Sequence, residues 1–135
     1  MPERRRISIR SSQREELIDI TDHVRSILKS EPVSDGVIYL WSLHTTCGLT
    51  VNEGADPDVA RDLITMMKRL APHAGDYLHM EGNSDSHLKT SLFGPGLTLI
   101  IEGGTLVLGT WQHVFLAEWD GPRSRQIAYT IIPAR

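Results

Sequence analysis

Apolar and polar positions alternate along much of the chain, and the period of the alternation identifies the strands. Ile7-Ser8-Ile9-Arg10-Ser11 alternates strictly, which predicts a half-buried strand over residues 4–12. Residues 37–44 are almost continuously apolar and rich in β-forming side chains, which favours a central strand covered on both faces. Further strands are predicted over residues 49–52, 97–101, 106–108, 114–119 and 125–132, with a hairpin turn at Gly103-Gly104.

Two segments repeat their apolar residues with the period of an amphipathic helix. The first covers roughly residues 22–30, and either Thr21 or Asp22 can cap its start. The second begins at Asp56-Pro57, where an aspartate N-cap precedes proline at the first helical position, and runs to about residue 71. Both predicted helices have charged side chains on the face away from the core.

A third helix is predicted near residues 85–93, with Ser84 as its N-cap and Gly94-Pro95 at its end. Leu88 and Leu92 are expected to anchor its buried side. Strands at the start, helices in the middle and antiparallel hairpins at the end are typical of an α+β fold. We therefore predict a compact single domain with three helices and a mixed or mostly antiparallel sheet.

Composition narrows the function classes. The 135 residues carry 17 acidic and 14 basic side chains, and a net charge of -3 argues against a general nucleic-acid binder. The single cysteine excludes an intrachain disulfide, and no apolar run approaches the length of a membrane span. The first residues are not followed by the apolar segment of a signal peptide, so we expect a cytoplasmic protein without a membrane partner.

Three histidines are the candidate metal ligands. His44, His79 and His87 would offer three imidazoles and an open coordination position, as in a catalytic or substrate-binding zinc site. Glu53, Glu81 and Asp85 are candidates for a general base or for a partner that orients an imidazole. The alternative is that each histidine is an ordinary hydrogen-bonded side chain, because no short-spaced zinc motif is present.

A candidate anion site lies where Gly82-Asn83-Ser84 leads into the third helix. Exposed N–H groups and the positive end of the helix dipole favour phosphate there, and Lys89 follows in the next turn. A plain N-cap would account for Ser84 equally well. Cys47 could be a thiolate nucleophile, but a small buried hydrophobe is the favoured interpretation because no cationic neighbour is evident in the sequence.

Four blocks of sequence together resemble the YjbQ family, whose members are described as secondary thiamine-phosphate synthase enzymes or as proteins of uncharacterised function. The resemblance runs from about residue 5 to the C-terminus, with the motifs in the same order. The blocks are His44-Thr45-Thr46-x-Gly48-Leu49-Thr50-x-Asn52-Glu53, Asp56-Pro57-Asp58-Val59, Gly82-Asn83-Ser84-Asp85-x-His87-Leu88-Lys89 and Gly109-Thr110-Trp111-Gln112. Two positions depart from the family pattern: Cys47 stands where alanine is usual, and His113 follows the last block.

The resemblance implies a sandwich-like fold, a homotrimer, and a site near subunit contacts that gathers the histidines around a divalent metal, zinc above all. It implies a small phosphorylated substrate, as in the joining of hydroxymethylpyrimidine diphosphate to thiazole phosphate. The alternatives are a metal-assisted hydrolase or lyase and a non-catalytic metabolite-binding module. The expected catalytic residues are Glu53, Asp85 and Lys89, and the expected substrate or phosphate ligands are Thr45, Thr46, Asn83, Ser84, Lys89, Ser91, Thr110 and Gln112.

Overall fold

The computed structural model describes residues 5–135, which form two β-sheets and three helices. In chain order the elements are β1 (Arg6–Arg10), β2 (Glu16–Asp19), α1 (Thr21–Ser30), β3 (Gly36–Ser42), β4 (Cys47–Glu53), α2 (Pro57–Leu70), α3 (Ser84–Phe93), β5 (Gly96–Glu102), β6 (Thr105–Leu106), β7 (Gln112–Glu118) and β8 (Ser124–Pro133). Residue 4, at which the sequence predicts the first strand to begin, lies outside the described residues.

The strands form a five-stranded sheet in the order β1-β8-β3-β5-β6 and a three-stranded sheet in the order β2-β7-β4. Every strand pairing is antiparallel, which confirms the predicted α+β class and the mostly antiparallel arrangement. The sequence analysis missed β2. Its four residues are too few to show a period, and they form a strand because Leu17 pairs with Ala117 of β7.

A single main core lies between the two sheets. The inward-facing side chains of both sheets meet there with one face of α1, and each buried aliphatic side chain contributes about 1.5–3 kcal/mol relative to an exposed one. The buried members include Ile7, Ile9, Val24, Ile38, Leu40, Leu49, Leu99, Ile101, Val114, Leu116 and Ile127. The alternating and helical patterns of the sequence select Ile7, Ile9, Val24, Leu99 and Ile101 among them.

The prediction that β3 is covered on both faces is wrong for the single chain. Ile38 and Leu40 are buried, but Tyr39 and Trp41 on the other face are 42% and 55% exposed. The reason is the placement of two helices, because α2 packs on β2 and α3 packs on β4, both in the three-stranded sheet. The outer face of the five-stranded sheet therefore presents aromatic side chains to solvent.

The predicted N-cap is observed in α2 but not in α1. Asp56 caps α2 as predicted, and its carboxylate accepts a hydrogen bond of 2.9 Å from the Asp58 N–H. In α1 neither Thr21 nor Asp22 is the cap. Instead the carboxylate of Asp19 accepts from the Thr21 N–H at 3.0 Å, because that side chain already lies beside the first turn at the end of β2.

The predicted hairpin turn at Gly103-Gly104 is confirmed. Both glycines have positive φ angles, 56° and 80°, which suit a two-residue turn between twisted antiparallel strands and which other residues rarely adopt. Across residues 5–135, none of the helices combines the length and apolar character that crossing a membrane would require.

Candidate functional site

Helix α3 buries its polar side chains and exposes its leucines. Asp85, Ser86, Lys89 and Thr90 are buried, whereas Leu88 and Leu92 are 48% and 65% exposed. The prediction that the leucines anchor the buried side is therefore wrong. The spacing of apolar residues does not predict the buried side of α3, because ion pairs of polar side chains hold this helix against the rest of the protein.

The ion pairs join α3 to the segment between β1 and β2. The Lys89 ammonium lies 2.8 Å from an Asp85 carboxylate oxygen and 3.0 Å from Glu15, and it is 1% exposed. Arg14 donates two further hydrogen bonds of 3.1 Å to Asp85. Burial raises the pKa of Asp85, but the hydrogen bonds from Arg14 and Lys89 outweigh it and hold the pKa below its usual value.

This cluster accounts for both Asp85 and Lys89 within the chain. Neither side chain is exposed, and each already has at least two oppositely charged partners. Their predicted catalytic roles stay predictions, but the contacts seen are buried ion pairs that hold α3 against the segment between β1 and β2. Ser86 adds to these contacts by donating a hydrogen bond to the Trp119 carbonyl.

The start of α3 also differs from its prediction. Asn83 occupies the N-cap position without a capping hydrogen bond from its side chain, and Ser84 is the first helical residue. Asn83 is instead turned toward Asp120, to which its amide nitrogen donates a hydrogen bond of 2.8 Å. The contact places Asn83 in the wall of a cavity beside His44 and His87.

Two adjoining cavities share the walls formed by Leu43, His44, Thr45 and His87. The first, which we call the polar chamber, has a volume of about 320 Å³. Its other wall residues are Thr46, Glu81, Asn83, Asp120, Arg123 and Arg125. The second, the apolar chamber, has a volume of about 570 Å³ and is completed by Trp41, Ser42, Thr90, Ser91 and Pro95. The structure thus brings together His44, His87, Thr45, Thr46, Asn83 and Ser91 from the predicted site.

His44 follows the end of β3, and its ring is fixed by the neighbouring strand. The backbone N–H of Gln126 donates to His44 Nε2 at 2.8 Å, so in the neutral ring the proton lies on Nδ1. Burial lowers the pKa of His44, and the positive charge of Arg125 lowers it further. A neutral imidazole with an Nδ1–H donor is the form that these contacts favour.

His79 and His87 come together, but the predicted set of three histidines does not. The rings of His79 and His87 lie edge to face with centroids 5.2 Å apart. His44 already uses its Nε2 lone pair to accept from Gln126, and its protonated Nδ1 cannot bind a metal in that tautomer. Over residues 5–135, no group of three or more His, Cys, Asp or Glu side chains is arranged to hold a metal ion.

The donor set of one chain therefore does not fit zinc, which needs three or four protein ligands. Glu81 is the carboxylate beside His79, with 3.7 Å between His79 Nε2 and a carboxylate oxygen, and both side chains are well exposed. The zinc prediction stays a prediction, and it would need a further ligand from outside the single chain.

Arg125 forms the floor of the polar chamber, and the sequence analysis did not select it as a site residue. It is 3% exposed, pairs with the buried Glu118 carboxylate, and donates to the Thr46 carbonyl and hydroxyl oxygens. Burial raises the pKa of Glu118, but the hydrogen bonds from Arg125 and Ser11 lower it below the usual value. A signal was present in the sequence, because Arg125 shares a face of β8 with Ile127, Tyr129 and Ile131.

Comparison with known proteins now identifies the family. The model of the UPF0047 protein YjbQ-like family matches residues 5–134. The chain belongs to the UPF0047 (YjbQ-like) family. It is 46% identical to the UPF0047 protein MJ1081 of Methanocaldococcus jannaschii over 92% of this chain and 90% of that protein. It is 41% identical to the UPF0047 protein YugU of Bacillus subtilis over 88% and 91% of the two chains.

Solved structures of the UPF0047 family share the fold. An uncharacterised YjbQ/UPF0047 protein from Clostridium acetobutylicum superposes with a TM-score of 0.92 at 45% identity, covering 94% of this chain and 98% of that one. A YbjQ-like protein of unknown function from Sulfolobus solfataricus gives a TM-score of 0.91 at 30% identity, with coverages of 96% and 95%. The predicted family and its sandwich fold are confirmed.

Three residues of the predicted site, Glu53, Thr110 and Gln112, lie at the other end of the three-stranded sheet from His44 and His87. Glu53 is at the opposite end of β4 from Cys47, and the seven residues of that strand span about 20 Å. Its carboxylate accepts from the Asp56 N–H at 2.7 Å, and the Gln112 side chain accepts from the Gly109 N–H at 2.8 Å. Thr110 is exposed in the same region. These residues could meet His44 only if they came from different copies of the chain.

The two departures from the UPF0047 pattern have plain structural settings. Cys47 is fully buried, its sulfur lies 3.3 Å from the Ser42 hydroxyl oxygen, and burial raises the pKa of its thiol. The predicted burial of Cys47 is confirmed, although the structure places a cation, Arg125, near enough to act on the thiol. His113 Nδ1 lies 2.5 Å from a carboxylate oxygen of Asp19, at the far end of β7 from the two chambers.

Proposed function

We propose that the polar and apolar chambers together bind a small phosphorylated metabolite, and that the protein is an enzyme in which His87 exchanges a proton with it. The observation that carries the proposal is that His44 and His87 line both chambers at their junction. A molecule that fills both would place its central atoms beside two imidazoles, the side chains best suited to proton transfer near neutral pH.

The dimensions and lining support binding of a small molecule. Volumes of about 320 Å³ and 570 Å³ lie within the range usual for metabolite sites. The polar chamber supplies donors for an anionic group from the Arg123 guanidinium, the hydroxyls of Thr45 and Thr46, and the ring N–H groups of His44 and His87. The apolar chamber supplies the exposed face of Trp41 for the rest of the molecule.

The balance of charge favours a phosphomonoester over a diphosphate. Arg125 is neutralised by Glu118, Arg123 pairs with Asp120 at 3.0 Å, and Lys89 is buried outside both chambers. A diphosphate leaving group normally requires several unpaired cations or a hard metal ion. Thiamine-phosphate synthase activity, which the family resemblance suggests, is therefore proposed only as a secondary activity.

We also propose that copies of the chain associate, as a homotrimer, around this site. Trp41 and Leu43 line the apolar chamber, and these two side chains and Leu88 on α3 are between 47% and 55% exposed. Association would cover them and could bring Glu53 or Gln112 of one copy, and a further metal ligand, to the histidines of another. Light scattering after gel filtration should give three times the chain mass of 15.1 kDa.

Binding of inorganic phosphate tests the main proposal. Titration calorimetry should show binding to the wild-type protein that His87→Ala weakens roughly 10- to 100-fold, the usual effect of losing a hydrogen bond to a charged group. His23→Ala is the matched control, because that exposed histidine lies on α1 away from both chambers. Equal binding by all three proteins, or none by the wild type, would refute the proposal.

Turnover then separates the enzyme from a metabolite-binding module. Phosphate release or transfer should be measured across a panel of small phosphomonoesters, with His87→Ala beside the wild type. Activity that disappears in the variant while the fold persists supports the enzyme. Binding without turnover of any member would favour the module.

A further inference from the structure

A carboxylate lies in the wall of the polar chamber, beside the guanidinium group that the chamber offers to phosphate. The side chain of Asp120 is 14% exposed, and its Oδ2 accepts hydrogen bonds from Asn83 Nδ2 at 2.8 Å and from Arg123 Nη2 at 3.0 Å. Asn83 and Arg123 line the same chamber, so the carboxylate is held between two wall side chains. A negative charge at this position restricts which anions the chamber can bind.

The other oxygen of this carboxylate is available to a ligand. In the part of the chain that the structure describes, both side-chain hydrogen bonds to Asp120 go to Oδ2, and Oδ1 accepts none. Oδ1 is also not one of the polar atoms that lack a partner and are sealed from solvent. A carboxylate oxygen can only accept a hydrogen bond, so its partner in a bound molecule has to be an O–H or N–H group.

A phosphate group bound to Arg123 would lie next to the Asp120 carboxylate, because the two side chains are in contact. Two negatively charged groups that are so close repel each other strongly in a partly buried site. A proton between them replaces this repulsion with a charge-assisted hydrogen bond, in which a P–O–H group donates to Oδ1. Glu81, another carboxylate in the chamber wall, is 76% exposed, so solvent weakens its effect.

We infer that Asp120 makes the polar chamber selective for oxyanions that carry a proton. The inference rests on the proposed function, because it takes the anion to be bound in the polar chamber. In mildly alkaline solution inorganic phosphate is a dianion that keeps one proton, whereas sulfate has the same shape and charge but no proton. A phosphomonoester carries a proton only as its monoanion, since its second pKa is about 6, so it would bind together with a proton. Asp120 is then a residue that determines specificity.

Phosphate and sulfate are the matched probes, because they differ in the proton and in little else. Their affinities should be measured by calorimetry at about pH 8, where a free imidazole is neutral. The wild-type protein should bind phosphate at least about 100-fold more tightly than sulfate, because a charged acceptor rejects an analogue that lacks the hydrogen.

Asp120→Asn tests the role of the carboxylate. The amide oxygen should take the place of Oδ2, where two donors converge, and the amide NH₂ group should then replace Oδ1 as a donor to the anion. Sulfate affinity should therefore rise about 100-fold and the preference for phosphate should disappear. A variant that fails to fold could not gain sulfate binding. The matched control is Asp58→Asn, which also has an arginine partner three residues later but lies outside both chambers, and it should keep the preference.

Ethyl phosphate tests the form in which an ester binds. Near pH 7.5 its binding to the wild-type protein should take up about one proton, and its binding to Asp120→Asn should take up none. The dependence of the calorimetric enthalpy on the ionisation enthalpy of the buffer measures this number. Three arginines act on Asp120 and keep their charge throughout: Arg14, Arg123 and Arg125. Uptake that persists in the variant would assign the proton to another titratable group nearby, namely His44, His87, Glu81 or Glu118, and would overturn the role of Asp120.

The outcomes separate this inference from the proposed function. Equal affinities of the wild-type protein for phosphate and sulfate would overturn the inference and leave the phosphate site intact, and this comparison needs no variant. A preference for phosphate that persists in Asp120→Asn would also overturn the inference. Failure of the wild type to bind phosphate would overturn the proposed function, and the inference with it.

Discussion

Asp85→Asn should destabilise this protein more than any exposed charge substitution. The variant keeps the shape of the side chain but removes a fully buried carboxylate that accepts hydrogen bonds from Lys89 and Arg14. The Lys89 ammonium, 1% exposed, would then retain only Glu15 as an anionic partner, and the new amide N–H groups would face two cations. Breaking a buried pair in this way costs about 3–5 kcal/mol.

That cost is a large part of the stability of a domain of this size, which is typically about 5–15 kcal/mol. It corresponds to a decrease in Tm of roughly 10–20 °C, at about 3–5 °C for each kcal/mol. Urea unfolding followed by circular dichroism would measure the free energy directly. Asp58→Asn is the control, because its ion pair with Arg61 is 3.7 Å long and exposed, and exposed pairs of this kind contribute little.

A double-mutant cycle tests the mechanism. Lys89→Met should cost less than Asp85→Asn, since Asp85 would keep both hydrogen bonds from Arg14. The double variant should be more stable than the sum of the two losses predicts, because it leaves no unpaired buried ammonium. If Asp85→Asn lowers the free energy of unfolding by less than about 0.5 kcal/mol, as ordinary surface substitutions do, the ion-pair cluster does not hold α3 in place.

The remaining predictions concern acid stability, thiol reactivity and metal content. Burial raises the pKa of Glu118, but the hydrogen bond from Arg125 lowers it by more, so the pKa in the folded protein is below the usual value of 4.5. The pair therefore stabilises the fold above about pH 4.5, and this stabilisation is lost as the pH falls through the pKa of the folded state. Glu118→Gln should therefore lower Tm at pH 7 and flatten its decline on acidification; an unchanged acid profile would contradict this. Cys47, buried and with a raised pKa, should react with a thiol reagent only after unfolding, and rapid native reaction would disprove it. Elemental analysis should find bound zinc only in associated protein, with less in His79→Ala and His87→Ala; zinc in a monomer would contradict the dependence on a second copy.

The pattern of apolar residues predicted most strands, because that pattern is contained within the few consecutive residues of each strand. The inward residues of β5 belong to an alternating run and those of β3 to a continuous apolar run, and each run is the same whichever sheet it joins. β2 was missed because four residues cannot display a period, and because its pairing with β7 is a long-range event. The exposed aromatic face of β3 also depends on long-range packing. The sequence shows that Tyr39 and Trp41 are aromatic, but it does not show whether a helix covers them.

The candidate site was predicted in part. His44, His87, Thr45 and Asn83 were selected from polar motifs at the ends of apolar runs, and they do line adjoining walls. Arg125 was not selected, because its contact with Thr46 joins residues 79 positions apart and its pairing with Glu118 forms only when β7 and β8 are folded. Lys89 was interpreted as a phosphate ligand because a sequence shows its charge and not its partners.

By itself the sequence determined the family, the α+β class, most strand and helix positions, and several of the polar residues that line the two chambers. These follow from local periodicity, capping chemistry and motif order, all of which involve residues close together in the chain. Only the tertiary structure decided that Asp85 and Lys89 are buried against Arg14 and Glu15, and that the Asn83 amide donates to Asp120. The physical reason is that the charge state and hydrogen-bonding capacity of a buried group depend on its partners in space, and folding alone determines those partners.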